Sequence, residues 1–186
     1  LPVIHPDDLA LFEAAVPPHA KLLSPVFGGA TRQQSVHTGL KALAALEPLP
    51  DTVLVHDAAR PFVSGETISA VLAAIAPGTG ALPGLAVPDT IKRVDAAAAI
   101  IETVSRDGLY LAQTPQGFRF GELLAAHEQA IDSGRTDFTD DAAVSEWAGN
   151  RTVIVAGNVE NFKITTKSDL VKANDIMELR DKNKVT

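Results

Sequence analysis

Short runs of apolar, β-branched residues alternate along this chain with longer segments whose apolar positions recur every three or four residues. That alternation is the βα pattern of a largely parallel sheet with helices on its faces. Thr52-Val53-Leu54-Val55, running to His56, reads as a buried strand, as do Gly84 to Val87 and Thr152 to Val155. Leu22 to Phe27 is strand-like and runs into Gly28-Gly29. Val36, Leu40 and Leu43 recur at helical spacing, as do Ile68, Val71, Leu72 and Ile75, and Gly121 to Ile131 places Leu123, Leu124 and Ile131 on one side. Helix starts are marked by Asp7 or Asp8 ahead of Leu9, Leu11 and Phe12. Thr139 stands as the cap of another helix, with Asp140 and Asp141 in its first turn and Gly149 past its end. Phe162 and Ile164 lie on an extended piece. Thr166 followed by Asp169 is the capping box of a last helix through Leu170, Ala173 and Met177, with a polar tail from Arg180 to Lys184.

One region departs from that rhythm. Thr90-Ile91-Lys92-Arg93-Val94 and Ile101-Glu102-Thr103-Val104-Ser105 alternate apolar and polar residues on either side of Ala96 to Ala99. They read as a hairpin projecting from the sheet. An arm that exposes apolar residues needs a cover, and a second subunit supplies one.

The 186 residues suit one domain, 1–186, with no repeats, linkers or low-complexity tracts. Hydrophobic residues make up 46% and charged residues 21%, which is ordinary for a globular protein. No run reaches the ~18 apolar residues of a membrane span. The chain has no cysteine, which excludes disulfides and thiolate metal sites and fits a reducing cytoplasm. A net charge of −7 argues against nucleic acid as a partner, so any anionic ligand must meet cations gathered at one place. Leu1-Pro2-Val3-Ile4 followed by His5-Pro6-Asp7-Asp8 reads as the end of a strand entering a helix, and we expect further sequence upstream.

The strand ending at Val55-His56 delivers Asp57-Ala58-Ala59-Arg60-Pro61 to its carboxyl end, where open α/β sheets bind ligands. Asp57 suits a divalent cation and Arg60 a phosphate. Two readings stand, a ligand-binding pair or a strand-end ion pair. Gly28-Gly29-Ala30-Thr31-Arg32-Gln33-Gln34-Ser35 is a glycine turn opening a helix, either a plain connection or a set of backbone N–H groups offered to a base or a phosphate. Lys163, between Phe162 and Ile164, must face a polar pocket or solvent. Lys92, Arg93 and Arg106 lie on or beside the arm and read as solvated surface when each is taken alone. The five histidines show no metal-ligand spacing, and His56 and His127 read as packed side chains. Asp140 and Asp141 read as helix-start charges.

Six motifs in order carry a resemblance. They are Gly28 to Val36, Val55 to Pro61, Asp89-Thr90-Ile91-Lys92, Gln113-Thr114-Pro115-Gln116-Gly117-Phe118, Thr139-Asp140-Asp141-Ala142 and Phe162-Lys163-Ile164-Thr165. Together they span nearly the whole chain, and the series resembles the 2-C-methyl-D-erythritol 4-phosphate cytidylyltransferases of isoprenoid biosynthesis. The resemblance implies a Rossmann-like nucleotidyltransferase fold, mostly parallel, with a β-arm that joins a homodimer. It implies transfer of CMP from CTP to the polyol phosphate, with release of pyrophosphate. By position, Asp57 would bind magnesium, while Gly28, Gly29, Ala30, Ser35 and Ala58 would line the nucleotide pocket. Arg60 and Lys163 would hold phosphates, Thr114 would lie nearby, and Thr90 and Arg106 would reach from the arm into the other subunit. Asp57, Arg60, Arg106 and Lys163 form the implied catalytic set. No strong base is needed, because the attacking phosphate oxygen is already anionic; catalysis rests on alignment and charge neutralisation.

Three departures accompany the resemblance. The family's N-terminal strand and glycine-rich triphosphate loop are missing from this sequence. Glu160 stands where the family often has Asp, and Pro88 replaces a polar residue ahead of Asp89. Two alternatives remain: a ribitol 5-phosphate cytidylyltransferase, and a non-catalytic dimerising domain without its triphosphate loop. The chain also fits one half of a two-enzyme fusion.

Overall fold

The computed structural model describes residues 1–184, with side chains through residue 182. The side chains of the last two residues of the polar tail expected over Arg180–Lys184 therefore lie outside the described residues. In chain order the elements are β1 (Val3–Ile4), a 3-10 turn (Pro6–Asp8), α1 (Leu9–Ala15), β2 (Val26–Phe27), α2 (Arg32–Leu43) and β3 (Thr52–Val55). There follow α3 (Gly65–Ala74), β4 (Thr79–Ala86), β5 (Ile91–Val94), β6 (Ile100–Val104), β7 (Tyr110–Ala112) and β8 (Gln116–Arg119). The chain continues through α4 (Phe120–Asp132), α5 (Asp141–Trp147), β9 (Arg151–Ala156) and α6 (Lys167–Lys184).

The helices begin where short polar side chains take over orphan N–H groups. Thr31 accepts from the Gln34 N–H while the Gln34 side chain returns to the Thr31 N–H, closing a capping box on α2. Ser64 caps α3. Asp140, rather than the expected Thr139, caps α5 by accepting from the Ala143 N–H. At α6 the expected box is present, since Asp169 accepts from the Thr166 N–H and Thr166 accepts from the Asp169 N–H. Neither Asp7 nor Asp8 caps with its side chain; His5 accepts from the Asp7 N–H instead, because Pro6 has no N–H to offer.

The expected largely parallel sheet is mixed. β8 runs antiparallel to both β3 and β4, β7 antiparallel to β4, and β9 parallel to β4. So β3, β4 and β9 share one direction and β7 and β8 oppose it. β4 is longer at its start than its apolar run suggested, because Gly80 and Pro83 interrupt the pattern without ending the strand. Pro83 sits where the antiparallel neighbour changes from β8, at Ala81, to β7, at Gly84, so its missing N–H falls at a handover. β1 and β2 form a separate parallel pair, and only Val26–Phe27 of the expected 22–27 strand is paired. The piece through Phe162 and Ile164 is not a strand, although the Ile164 N–H donates to the Ala59 carbonyl. β5 and β6 pair antiparallel with each other and leave Val94, Ile100 and Ile101 exposed.

The core is built where α2, α4 and α5 pack on the sheet, around Leu40, Val53, Leu82, Phe118, Phe120, Leu123 and Ala142. Gly117 lets α3 come close: a Cβ there would lie 2.7 Å from Leu54, Val71 and Ile75 atoms. A second cluster, Ala126, Ala130 and Val144, is closed by Phe138 and Trp147. Hydrogen bonds from Arg60, Gln113 and Ile164 then tie the 157–166 segment to the end of β3 and the 113–114 loop, where the polar chemistry collects.

Candidate active site

The turn after β3 is fixed before any side chain reaches outward. The Arg60 N–H donates to the Asp57 carbonyl at 2.9 Å and closes the Asp57–Arg60 turn. The Asp57 N–H donates to Thr114 Oγ1 at 3.0 Å, and Thr114 Oγ1 lies 2.9 Å from His56 Nδ1. His56 Nε2 lies 3.0 Å from the Arg60 carbonyl. Assigned from this network, the Thr114 hydroxyl donates to Nδ1 and a neutral His56 donates from Nε2 to the carbonyl, so every partner is used once. His56 and Thr114 thus lock the turn that presents Asp57 and Arg60.

Three segments converge there. Arg60 Nη1 donates to the Asn161 carbonyl at 2.8 Å. Asn161, fully buried, donates from Nδ2 to the Thr114 carbonyl, and Gln113 Nε2 donates to the Asn158 and Asn161 carbonyls. Sequence reasoning missed Asn161 and Gln113 because both act through main-chain partners about 45 residues away or more.

Asp57 is the hub. Its Oδ2 lies 3.0 Å from Lys163 Nζ and 3.7 Å from Arg60 Nε, and its Oδ1 lies 3.8 Å from Arg32 Nε. Burial pushes this carboxyl upward, but the hydrogen bond and charge of Lys163, then the charges of Arg32 and Arg60, outweigh it and hold the carboxyl below its ordinary range. Three cations therefore gather on one carboxylate in an acidic chain. Lys163, partly exposed, turns to the Asp57 carboxylate, and the ion-pair and ligand-site readings of Asp57 and Arg60 are compatible. Arg32 was overlooked: within the glycine turn only backbone groups drew attention, and its second partner, Asp141, is 109 residues away.

The glycine turn is less open than its sequence suggests. The Gly29 N–H donates to Ser35 Oγ at 3.1 Å, the Gly28 N–H to the Ile4 carbonyl and the Thr31 N–H to Gln34. A Cβ at Gly29 would lie 2.4 Å from Gln34 Cβ, so the glycine is required by close approach. Arg32, Ser35, His56, Asp57 and Ala58 line a cleft of about 510 Å³ whose other walls are mostly apolar, from β1, α1, α2 and β3. β1 and β3 each have an edge without a strand partner among the described residues. Gly28, Gly29 and Ala30 are not on the cleft wall.

The remaining expected residues lie elsewhere in the protomer. Arg106 donates from Nη1 to the Pro88 carbonyl at the base of the hairpin, and Thr90 is exposed beside it. Among the described residues no hydrogen bond or ion pair joins either to the Asp57 cluster. Glu160 pairs with Arg180 at 2.8 Å. No group of three or more His, Cys, Asp or Glu converges among the described residues. Asp57 can supply one carboxylate to a magnesium ion carried by phosphates, which is how that ion is commonly held.

Comparison with known proteins adds the following. The profile described as "IspD: 2-C-methyl-D-erythritol 4-phosphate cytidylyltransferase" matches residues 1–179. A bifunctional enzyme IspD/IspF of Mesorhizobium japonicum is 49% identical over 171 residues, covering 92% of this chain and 42% of that protein. Its counterpart in Rhodopseudomonas palustris is 50% identical, with the same coverage. The chain thus spans less than half the length of these relatives. A 4-diphosphocytidyl-2C-methyl-D-erythritol synthase structure from Anaerococcus prevotii superposes with TM-score 0.81 at 31% identity, covering 95% of this chain and 80% of that one. The 2-C-methyl-D-erythritol 4-phosphate cytidylyltransferase structure from Thermus thermophilus gives 0.71 at 41% identity, covering 88% and 77%.

Proposed function

The chain belongs to the 2-C-methyl-D-erythritol 4-phosphate cytidylyltransferase family, and from that premise we propose that it transfers CMP from CTP to 2-C-methyl-D-erythritol 4-phosphate. The observation that carries the reading is the Asp57 carboxylate ringed by Lys163, Arg60 and Arg32 on the wall of a cleft. In the reaction a phosphate oxygen of the polyol forms a bond to the α-phosphorus of CTP, the bond from that phosphorus to the bridging oxygen breaks, and pyrophosphate leaves. Both reactants are polyanions, so the protein's task is to align them and neutralise the charge on the transferring group. Arg60 and Lys163 grip phosphate oxygens, and the His56–Thr114 network keeps Arg60 and Asp57 in register. Ser35 and Ala58, on the cleft wall, border the nucleotide, with Gly28, Gly29 and Ala30 in the adjoining turn. Magnesium, held in part by Asp57, supplies charge neutralisation when bound.

The finer fold reading is a Rossmann-like nucleotidyltransferase in which β5 and β6 form a dimerisation arm. Its support is a hairpin paired only with itself that exposes Val94, Ile100 and Ile101. In the homodimer Thr90 and Arg106 from the second copy's arm meet the polyol phosphate, which accounts for their separation from Asp57 within one protomer. The open edges of β1 and β3 across an apolar cleft suit an additional strand, leading into a glycine-rich loop, in a fuller chain. A single cytidylyltransferase domain is then one part of a two-enzyme polypeptide, as in relatives bearing that description. We assign the enzyme to the cytoplasm, where its proposed donor CTP is held; no helix among the described residues is long and apolar enough to cross a membrane.

The test is turnover. The protein is supplied with CTP, magnesium and either 2-C-methyl-D-erythritol 4-phosphate or ribitol 5-phosphate, and pyrophosphate release is followed. Release with the methylerythritol compound at a rate well above that with ribitol phosphate is expected. Release with ribitol phosphate alone would reassign the substrate, and no release with either would favour a non-catalytic dimerising domain.

A further inference from the structure

Behind the cluster lies a chain of polar contacts, buried at its far end, that the proposed mechanism does not use. Arg32 is the first residue of α2, and its guanidinium is shared between two carboxylates: Nη2 donates to Asp141 Oδ2 at 2.7 Å and Nε lies 3.8 Å from Asp57 Oδ1. Asp141 is fully buried, and so is His127, whose Nε2 meets Asp141 Oδ1 at 3.1 Å. The Asp141 main-chain N–H donates to Gln116 Oε1 at 3.0 Å, which fixes its place on α5.

A carboxylate with no exposure needs a cation, and Arg32 is the arginine that reaches it. Arg32, its side chain 35% exposed, is thereby anchored from below by a buried carboxylate, whereas the ion pair of Lys163 is with the partly exposed Asp57. One Nη donor serves Asp141, the other Nη makes no hydrogen bond among the described residues, and Arg32 forms part of the cleft wall. A fixed guanidinium with free donors beside Arg60 and Lys163 suits a phosphate group.

We propose that Arg32 is a further phosphate-binding residue of this site and that buried Asp141, backed by His127, is the positioning residue that holds it there. The identity of the anion rests on the cytidylyltransferase reading, so the experiment uses inorganic pyrophosphate as its probe and reads binding rather than turnover. Pyrophosphate titrations by calorimetry compare the wild-type chain with Arg32→Gln, Asp141→Asn and the double variant. Thermal unfolding of each is measured alongside.

Arg32→Gln weakens pyrophosphate about tenfold, the loss expected for hydrogen bonds to a charged group. Asp141→Asn weakens it about fivefold, and the double variant is no weaker than Arg32→Gln alone, because Asp141 acts through Arg32. A merely structural Asp141 would lower the unfolding midpoint without that coupling. Losses that multiply in the double variant, or unchanged binding in Arg32→Gln, overturn the proposal. Wild-type protein that takes up no pyrophosphate overturns it too, whereas pyrophosphate binding without CMP transfer overturns only the substrate assignment. Should Asp141→Asn fail to fold, Arg32→Lys carries the test: it keeps the charge and loses the fork, and undiminished binding refutes the role.

Discussion

Replacing Asp57 with Asn perturbs stability and ligand binding in opposite directions, and both signs follow from its three neighbours. In the wild type the carboxylate faces Lys163 at 3.0 Å, Arg60 at 3.7 Å and Arg32 at 3.8 Å. Its side chain is 17% exposed, so the contacts fall between surface ion pairs, worth at most about 1 kcal/mol, and buried ones, whose breakage costs about 3–5 kcal/mol. Asn keeps the shape and removes the charge, leaving three cations to repel one another. We expect a loss of about 2 kcal/mol, which for a chain of this size lowers the unfolding midpoint by about 4–8 °C. Pyrophosphate has the reverse response. Without magnesium, Asp57 competes with the anion for the same cations, so the variant binds pyrophosphate about tenfold more tightly, equivalent to about 1.4 kcal/mol. Added magnesium strengthens binding to the wild type more than to the variant, since the variant lacks the carboxylate that shares the ion. Scanning calorimetry, with titration calorimetry in EDTA and in magnesium, reads all three quantities. An unchanged midpoint together with unchanged or weaker pyrophosphate binding in EDTA would refute Asp57 as the electrostatic hub.

Lys163→Ala should lower kcat/KM for CMP transfer about a hundredfold, the loss typical of one charge-stabilising donor. Mixing it with Arg106→Ala subunits should restore part of the activity if the arm completes a neighbour's site; mixed dimers as inactive as their parents would count against that arrangement. Gly117→Ala should destabilise the protein by about 1–3 kcal/mol in urea unfolding, because the new methyl would sit 2.7 Å from Leu54, Val71 and Ile75 atoms in the core. Asp169 is held at about 2 against an ordinary 3.8 by the Thr165 and Thr166 N–H and hydroxyl groups. Its contribution to stability is therefore whole above the unfolded value and lost as pH falls through about 2. Midpoints measured from pH 5 to pH 2 should fall less steeply for Asp169→Asn than for the wild type, and parallel curves would remove the α6 capping box from that role.

What could be read locally was read well. Asp57 and Arg60 stand three residues apart at a strand end, and a lysine flanked by Phe162 and Ile164 had to face something polar. The Thr166–Asp169 box, too, is complete within four residues. The glycine turn was legible as a turn but not as a closed one. Ser35 takes the Gly29 N–H, and whether a donor is already spent depends on where the first turn of α2 lies. Thr139 and Asp140 are both good caps by composition, and the choice between them was made by backbone geometry at Asp140, which is fully extended.

The sequence alone determined the alternation of strands and helices, the acidic balance and the family, because each is written in local spacing or in the order of short motifs. Only the tertiary structure decided which way the strands run and which cations meet Asp57. An apolar run encodes that a strand is buried but not the direction of its neighbour, so β8, short and bounded by Pro115 and α4, could turn a nominally parallel sheet into a mixed one. Arg32, likewise, joins the site only because α5 brings Asp141 under it. Such a contact is set by packing between elements about a hundred residues apart, and no pattern within either segment announces it.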